Sequence, residues 1–213
     1  MESDSFFKSF FDNDSTKDKI IYSALQILEQ TNYQSMTTAA IAKRAQIAEG
    51  TIYRYFNSKK DILLAMLDEV NDFFVETFFK GIDNSVSLME NFQKIGLNFF
   101  EKKNELVSLY KVIFKVFSEI SDDDVKKKFS NIYERILKKI ENLFCSYENS
   151  KPLDSQNVDS IPLPLIGAYF LWGAGELLWK MDIVTDGKVL NQKLIETMLG
   201  AIFSMVDSQN KDR

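Results

Sequence analysis

The sequence has no histidine, one cysteine, three prolines and eight glycines among its 213 residues, and each scarcity removes a class of function. Without imidazole there is no Ser–His–Asp triad, no His-supported zinc site and no standard acid–base system near neutral pH. Cys145 stands alone on an amphipathic stretch, with no second thiol to pair with. One cysteine and no secretory leader point to a reducing cytoplasm without structural disulfides. No window approaches twenty apolar residues, so no helix is expected to span a membrane. A glycine-rich nucleotide fingerprint is also missing. The run Asp122–Asp124 offers carboxylates, but consecutive residues do not converge on one face, and a helix cap explains them more simply. Neither an enzyme nor a cofactor or metal site is therefore expected. So few breakers, set far apart, predict an all-α chain.

What the chain does contain is aromatic and apolar surface, led by eighteen Phe in a composition that is 45% hydrophobic. Its length suffices for a small domain and a larger one. The formal net charge of −5 argues against a nucleic-acid partner taken as a whole, but the charge is segregated. Residues 16–60 carry seven Lys or Arg against three Asp or Glu, a net of +4, whereas residues 1–14 carry one Lys and four acids. Such polarity presents one end of a molecule to a polyanion and holds the rest away.

The positive end contains the most informative stretch, MTTAAIAKRAQIAEGTIYRYFNSKKDIL, from Met36 to Leu63. Thr37 or Thr38 can cap a helix in which Ile41, Ala42 and Ala45 form a slim apolar side. After a turn near Gln46, the segment Ala48 to Tyr55 is about two turns long, too short to stand alone in water. Ile47, Ile52 and Phe56 are available to anchor it. Its other side then carries Glu49, Thr51, Arg54 and Tyr55, with Tyr53 at the boundary and Gly50 near the first turn. A short second helix with polar residues at its front is what a helix-turn-helix places in the major groove. Hydroxyls, Arg and Lys make the usual phosphate contacts.

The same segment resembles the DNA-binding head of TetR-family transcriptional regulators, with its T-x-x-x-I-A-x-x-A run, turn, G-T-x-Y-x-Y-F and K-x-x-L. The resemblance extends from near Lys17 to about Leu67. It implies that Thr38, Tyr53, Tyr55 and Lys59 contact DNA phosphates, while Glu49, Gly50 and Thr51 lie nearest base edges. Three residues depart from the family pattern. Gln46 stands where Gly is common, so either the turn needs no left-handed residue or Gln46 is strained. Ala48 replaces a capping Ser or Thr, which typically costs about 1 kcal/mol. Glu49 replaces Lys or Arg; it gives up phosphate attraction but can accept from a cytosine amino group.

Along the chain, residues 1–15 read as a flexible, acidic N-terminal arm with Phe6, Phe7, Phe10 and Phe11. Residues 16–64 form the helix-turn-helix domain, opened by a helix capped at Asp14 or Ser15 that turns Ile20, Ile21, Ala24, Leu25 and Leu28 inward. Residues 65–213 form the larger, effector-binding and dimerisation domain. The helix from Lys59, capped by Ser58, runs to about Lys80 and belongs to both, so a tilt at its far end would move the head. Further helices are expected from Ser85 or Ser87 to Lys102, from Glu105 to Glu119 and from Asp122 toward Tyr147. Their inward residues are Phe92, Ile95, Phe99 and Phe100, then Leu106, Leu109, Tyr110, Ile113, Phe114 and Phe117, then Val125 to Phe144. Lys126 to Lys128 read as a solvent face. Residues 148–163 read as a connector.

The last two helices, after Pro164 and after Gly187, carry surplus apolar surface. The resemblance implies that they pair across a twofold axis, making a homodimer. Phe99, Tyr110, Phe114, Phe117, Tyr133, Tyr169 and Trp172 could line a cavity, although aromatic stripes at helical spacing are more often core. Glu176 is a carboxylate on an almost wholly apolar helix, where a charge needs a partner. It can meet Lys180, a cation across the dimer, or an effector. The reading that results is a cytoplasmic, dimeric repressor of a palindromic double-stranded operator, released by a small apolar or aromatic effector. The alternative is a helical small-molecule-binding or scaffold protein with a degenerate head.

Overall fold

The computed structural model describes residues 15–119 and 121–148, with Gly173, Lys180, Lys193 and Thr197 described singly. Within these, the elements are seven helices: α1 (Thr16–Gln30), α2 (Thr38–Ala45), α3 (Glu49–Ile52), α4 (Lys59–Phe78), α5 (Leu88–Glu101), α6 (Lys103–Phe117) and α7 (Asp123–Glu148). The segments expected to form the Phe-rich arm, the connector and the last two, dimerising helices, with Tyr169, Trp172 and Glu176, lie outside the described residues. None of the helices among the described residues is long and apolar enough to cross a membrane.

The chain divides into two compact units. One comprises residues up to Phe74 together with Lys103–Ile132. Its centre is α1, whose Ile20, Ile21, Ala24, Leu25 and Leu28 are buried as one stripe at helical spacing. Fully burying each of the larger side chains contributes about 1.5–3 kcal/mol. Ser15 occupies the N-cap position of α1, but its hydroxyl accepts no hydrogen bond there, so the expected cap is one of backbone shape alone. At the other end, Thr31 Oγ1 donates to the Ile27 carbonyl (2.7 Å), closing the last turn. Helix α4 adds Ile62, Leu63, Met66 and Leu67, all fully buried.

Helix α6 packs on α1 within this unit, and that contact decides which of its sides is covered. Leu106, Leu109, Val112 and Val116 are buried, whereas Phe114 and Phe117, expected inward, are 47% and 46% exposed. A helix facing α1 buries the stripe nearest it, and the aromatic stripe lies to one side. Lys115 Nζ donates to the carbonyls of Leu28 (2.9 Å) and Glu29 at the end of α1. A cation there meets the negative end of the helix. Burial pulls the Lys115 ammonium below the ordinary lysine value. Lys60 pairs with Asp122 (3.1 Å) and Asp124, and Lys128 pairs with Asp68 rather than standing on an open solvent face. Asp122 also caps α7, accepting from the Asp124 (3.0 Å) and Val125 N–H groups. The unit that holds the head thus takes in residues 103–132, which the sequence alone assigns to the larger domain.

The second unit contains residues 75–102 and those from Tyr133 onward. Gly81, with φ of 68°, turns the chain after α4 in a conformation that favours glycine. Two buried asparagines complete the turn. Asn98 Nδ2 donates to the carbonyls of Phe78 (3.3 Å) and Lys80 (2.8 Å), and Asn91 exchanges both of its amide functions with the Asp83 backbone. Ser87 and Glu90 cap α5 reciprocally. Phe99 stacks on Phe78 with centroids 5.7 Å apart. Ile136, Ile140 and Leu143 of α7 are buried as their spacing predicts.

Candidate nucleic-acid interface

Helix α2 is locally well specified. Thr37 is its cap, accepting from the Ala40 N–H at 3.1 Å, and Ile41 and Ala42 are buried beneath it. Arg44 Nε donates to the buried Gln26 amide oxygen at 2.6 Å, tying α2 to α1. The helix ends at Gln46, which adopts φ 58° and ψ 41°, the left-handed conformation. The turn does take a left-handed residue, which favours the second of the two readings open at this position. A non-glycine residue there costs roughly 1–2 kcal/mol. In return the Ile47 N–H reaches back to the Ala42 carbonyl (3.1 Å), satisfying the helix end.

Helix α3 begins two residues later and is one turn of regular helix over four residues, continued through Tyr55 by turns. Ala48 supplies no side-chain cap, as its identity requires. The turn is held from behind: Ile52 is fully buried, Phe56 nearly so, and Ile47 half-buried. Opposite them, Glu49, Gly50, Tyr53, Arg54 and Tyr55 are exposed and Thr51 is half-exposed. Tyr53 and Tyr55 expose 54% and 47% of their surface, which is unusual for large aromatic side chains with a core to enter. A Cβ added at Gly50 would meet nothing within 4 Å, so no neighbour in this chain demands glycine there. A close approach from outside would.

Three of the expected phosphate contacts, Thr38, Tyr53 and Lys59, have partners within the protein. Thr38 Oγ1 donates to Glu49 Oε1 at 2.6 Å, and the Tyr53 hydroxyl lies 3.4 Å from Thr38 Oγ1. Lys59 Nζ donates to the Tyr33 carbonyl at 3.0 Å and sits 4.0 Å above the Tyr33 ring. An ammonium has three donors, so this anchoring leaves two for an outside acceptor. Burial, followed by the charges of Glu119 and Asp122, raises the Tyr33 phenol above its ordinary value and keeps it neutral. Neither pairing was legible in sequence, because Thr38 and Glu49 are eleven residues apart and Lys59 and Tyr33 twenty-six, across turns. Ser58 accepts from the Asp61 N–H (3.1 Å) while Asp61 accepts from Asn57, which fixes the start of α4 beside α3.

The aromatic residues considered for an effector fall differently. Tyr110 is buried and meets Phe114 edge-on at 5.0 Å, and Phe117 meets Phe129 edge-on at 5.4 Å. Phe99 is half-buried and Tyr133 is 38% exposed. Among the described residues, no group of acidic, Cys or His side chains could hold a metal ion.

Residues 20–66 match the family model described as bacterial regulatory proteins, tetR family. The chain is 33% identical over 72 residues to the fatty acid metabolism regulator protein of Bacillus subtilis, a match covering 34% of this chain and 37% of that protein. It thus spans little more than a third of that relative's length. In fold it is similar to a TetR-family protein from Vibrio parahaemolyticus, with a TM-score of 0.67 at 19% identity, over 89% of this chain and 97% of that one. It is also similar to the fatty acid degradation regulator FadR from Bacillus halodurans, with a TM-score of 0.65 at 19% identity, over 87% and 93% of the two chains. These likenesses extend the common fold well beyond the head. The matched model and the relative are both described as regulatory proteins. Over residues 20–66 the chain is thus similar in sequence to the TetR family of bacterial regulatory proteins, and over most of its length it is similar in fold to a protein of that family.

Proposed function

We propose that the chain is a ligand-responsive DNA-binding repressor that acts as a homodimer on a palindromic operator. The observation that carries this reading is the division of α3 into a fully buried back, Ile52, and an exposed front of Glu49, Gly50, Tyr53, Arg54 and Tyr55. A one-turn helix braced in this way gains nothing for the fold from two exposed tyrosines, whereas a duplex edge would use them. In this role Thr38, Tyr53, Tyr55, Arg54 and Lys59 grip phosphate, while Glu49, Gly50 and Thr51 face base edges. A symmetric operator requires two heads about 34–36 Å apart, or a multiple of that, and the dimer through the last two helices supplies them.

The effector is proposed to be small and apolar or aromatic; of the residues considered for it, Tyr110, Phe114 and Phe117 belong to one compact unit and Phe99 and Tyr133 to the other, while Tyr169, Trp172 and Glu176 lie outside the described residues. Helix α4 supplies residues to both compact units, which supports a mechanism in which the effector tilts α4 and changes the head spacing. The name of the Bacillus subtilis relative, a fatty acid metabolism regulator, makes fatty acids the first ligands to try.

The test is a selection of the full-length protein over random duplexes, followed by titration of the selected duplex with a ligand panel. Thr51→Ala should change the preferred sequence, and Tyr53→Ala should weaken binding to every sequence. A ligand that binds the protein and leaves operator affinity unchanged at constant salt would remove the release mechanism while sparing DNA binding.

A further inference from the structure

The Thr38–Glu49 pair places a carboxylate where a phosphate is expected to be. A threonine hydroxyl has one proton to donate. That proton is committed to Glu49 Oε1 at 2.6 Å, a short, charge-assisted bond. With it committed, the Tyr53 hydroxyl at 3.4 Å can only be donor to Thr38, at a distance that makes the bond weak. The Thr38 hydroxyl, suited to phosphate, therefore faces a resident anion with the charge of a phosphate diester, and the Tyr53 hydroxyl lies beside it. Glu49 is itself exposed, the first residue of α3, on the face that carries Gly50 and Thr51.

We infer that Glu49 sets the base preference of this head, holding the Thr38 hydroxyl away from DNA phosphate until its carboxylate meets a cytosine amino group. The inference rests on the DNA-binding reading and goes further. On an arbitrary duplex the carboxylate repels the backbone and keeps the Thr38 proton, so every sequence binds less tightly than it would without Glu49. In the major groove, guanine N7 and O6 and thymine O4 are acceptors, which a carboxylate avoids. Adenine offers one amino group beside the N7 acceptor, and cytosine offers an amino group as its only polar function. Cytosine alone presents Glu49 with a donor and no acceptor on the same base's major-groove edge. Turning toward it releases the Thr38 proton to the phosphate, so one side-chain movement supplies a base contact and a backbone contact together. A cationic residue at this position would strengthen binding everywhere and discriminate less.

The experiment measures full-length wild type, E49A and E49Q on random duplex and on a selected operator, at one salt concentration, with base preference read position by position. Thermal melts confirm that both variants are folded, as the exposure of Glu49 leads one to expect. Both variants should bind random duplex roughly five- to tenfold tighter, the scale of one charge a few ångströms from another near water. Each should lose the preference for a C·G pair at one position per half-site, and E49Q should turn toward adenine, the base a glutamine amide reads. An affinity gain with unaltered base preference would reduce Glu49 to a surface charge and overturn the inference, as would random-duplex affinity within twofold of wild type. If wild type and variants alike bind no duplex, the DNA-binding reading falls and takes this inference with it. If wild type binds with a preference that E49A retains, this inference alone falls.

Discussion

The two short helices of the head are stabilised in opposite ways. Helix α2 carries its own instructions: Thr37 caps it, Arg44 ties it to Gln26, and Ile41 and Ala42 seat it on α1. Helix α3 has almost none, having no side-chain cap and a single regular turn, and it persists because Ile52 and Phe56 are buried behind it. Where the back of a helix supplies all of its stability, the front is free to be chosen for an outside partner. That exposed front is the ground on which Glu49, Gly50, Tyr53 and Tyr55 are proposed to meet a duplex.

The comparison breaks most visibly at the buried anchor. Ile52→Ala should destabilise the protein by about 2–5 kcal/mol in chemical denaturation, because it leaves a cavity at the more deeply buried of the two anchors behind α3. Duplex binding should fall with it. A smaller loss is expected from Lys115→Met, which strips the Leu28 and Glu29 carbonyls of a charged donor, on the order of 2 kcal/mol. Since Lys115 lies on α6, this variant measures how far the head depends on residues outside its own sequence segment. Thr37→Ala should cost about 1 kcal/mol by removing the α2 cap. The reverse change on α3, Ala48→Ser, should add stability of about 0.5–1 kcal/mol, read as a rise in thermal midpoint. A shift of the same size from Gln46→Gly would confirm that the left-handed turn is strained.

Most of the helices were legible because hydrophobic spacing survives whatever the helix packs against. Helix α4 was expected from Lys59 to about Lys80 and ends at Phe78, and the stops at Gly81 and the cap at Ser87 lie where turn chemistry puts them. What periodicity could not decide was which of two apolar stripes a helix buries. Helix α6 has an aromatic stripe and an aliphatic one, and its packing on α1 selects Val112 and Val116 over Phe114 and Phe117. The buried Asn91 and Asn98 were equally hidden, since their partners are backbone groups of a turn that exists only once the chain has folded. At the candidate site the residue types and their outward face were readable. The pairings of Thr38 with Glu49 and of Lys59 with Tyr33 were not, because each needs the turn geometry first.

The smallest expected effect is acid sensitivity at the Lys60 cluster. Lys60, together with the Val125 N–H, holds the Asp122 carboxyl below the usual aspartate range. A carboxyl whose folded value is depressed contributes fully above its unfolded value near pH 4, and that contribution drains away as pH falls through the lower folded value. Lys60→Met should therefore lower the neutral plateau of the stability curve slightly and flatten its low-pH limb, while stability below the folded value stays nearly unchanged.

One measurement bears on the division of α3 most directly: affinity of the full-length protein for a pool of random duplexes, read base by base at several salt concentrations. The expected result is a linear fall of log affinity with log salt, at a slope near −0.9 for each phosphate neutralised. It should be accompanied by two preferred half-sites about 10 base pairs apart, centre to centre, or a multiple of that. A flat salt response, or tight binding without base preference, would contradict the assignment of the outward face of α3 to DNA.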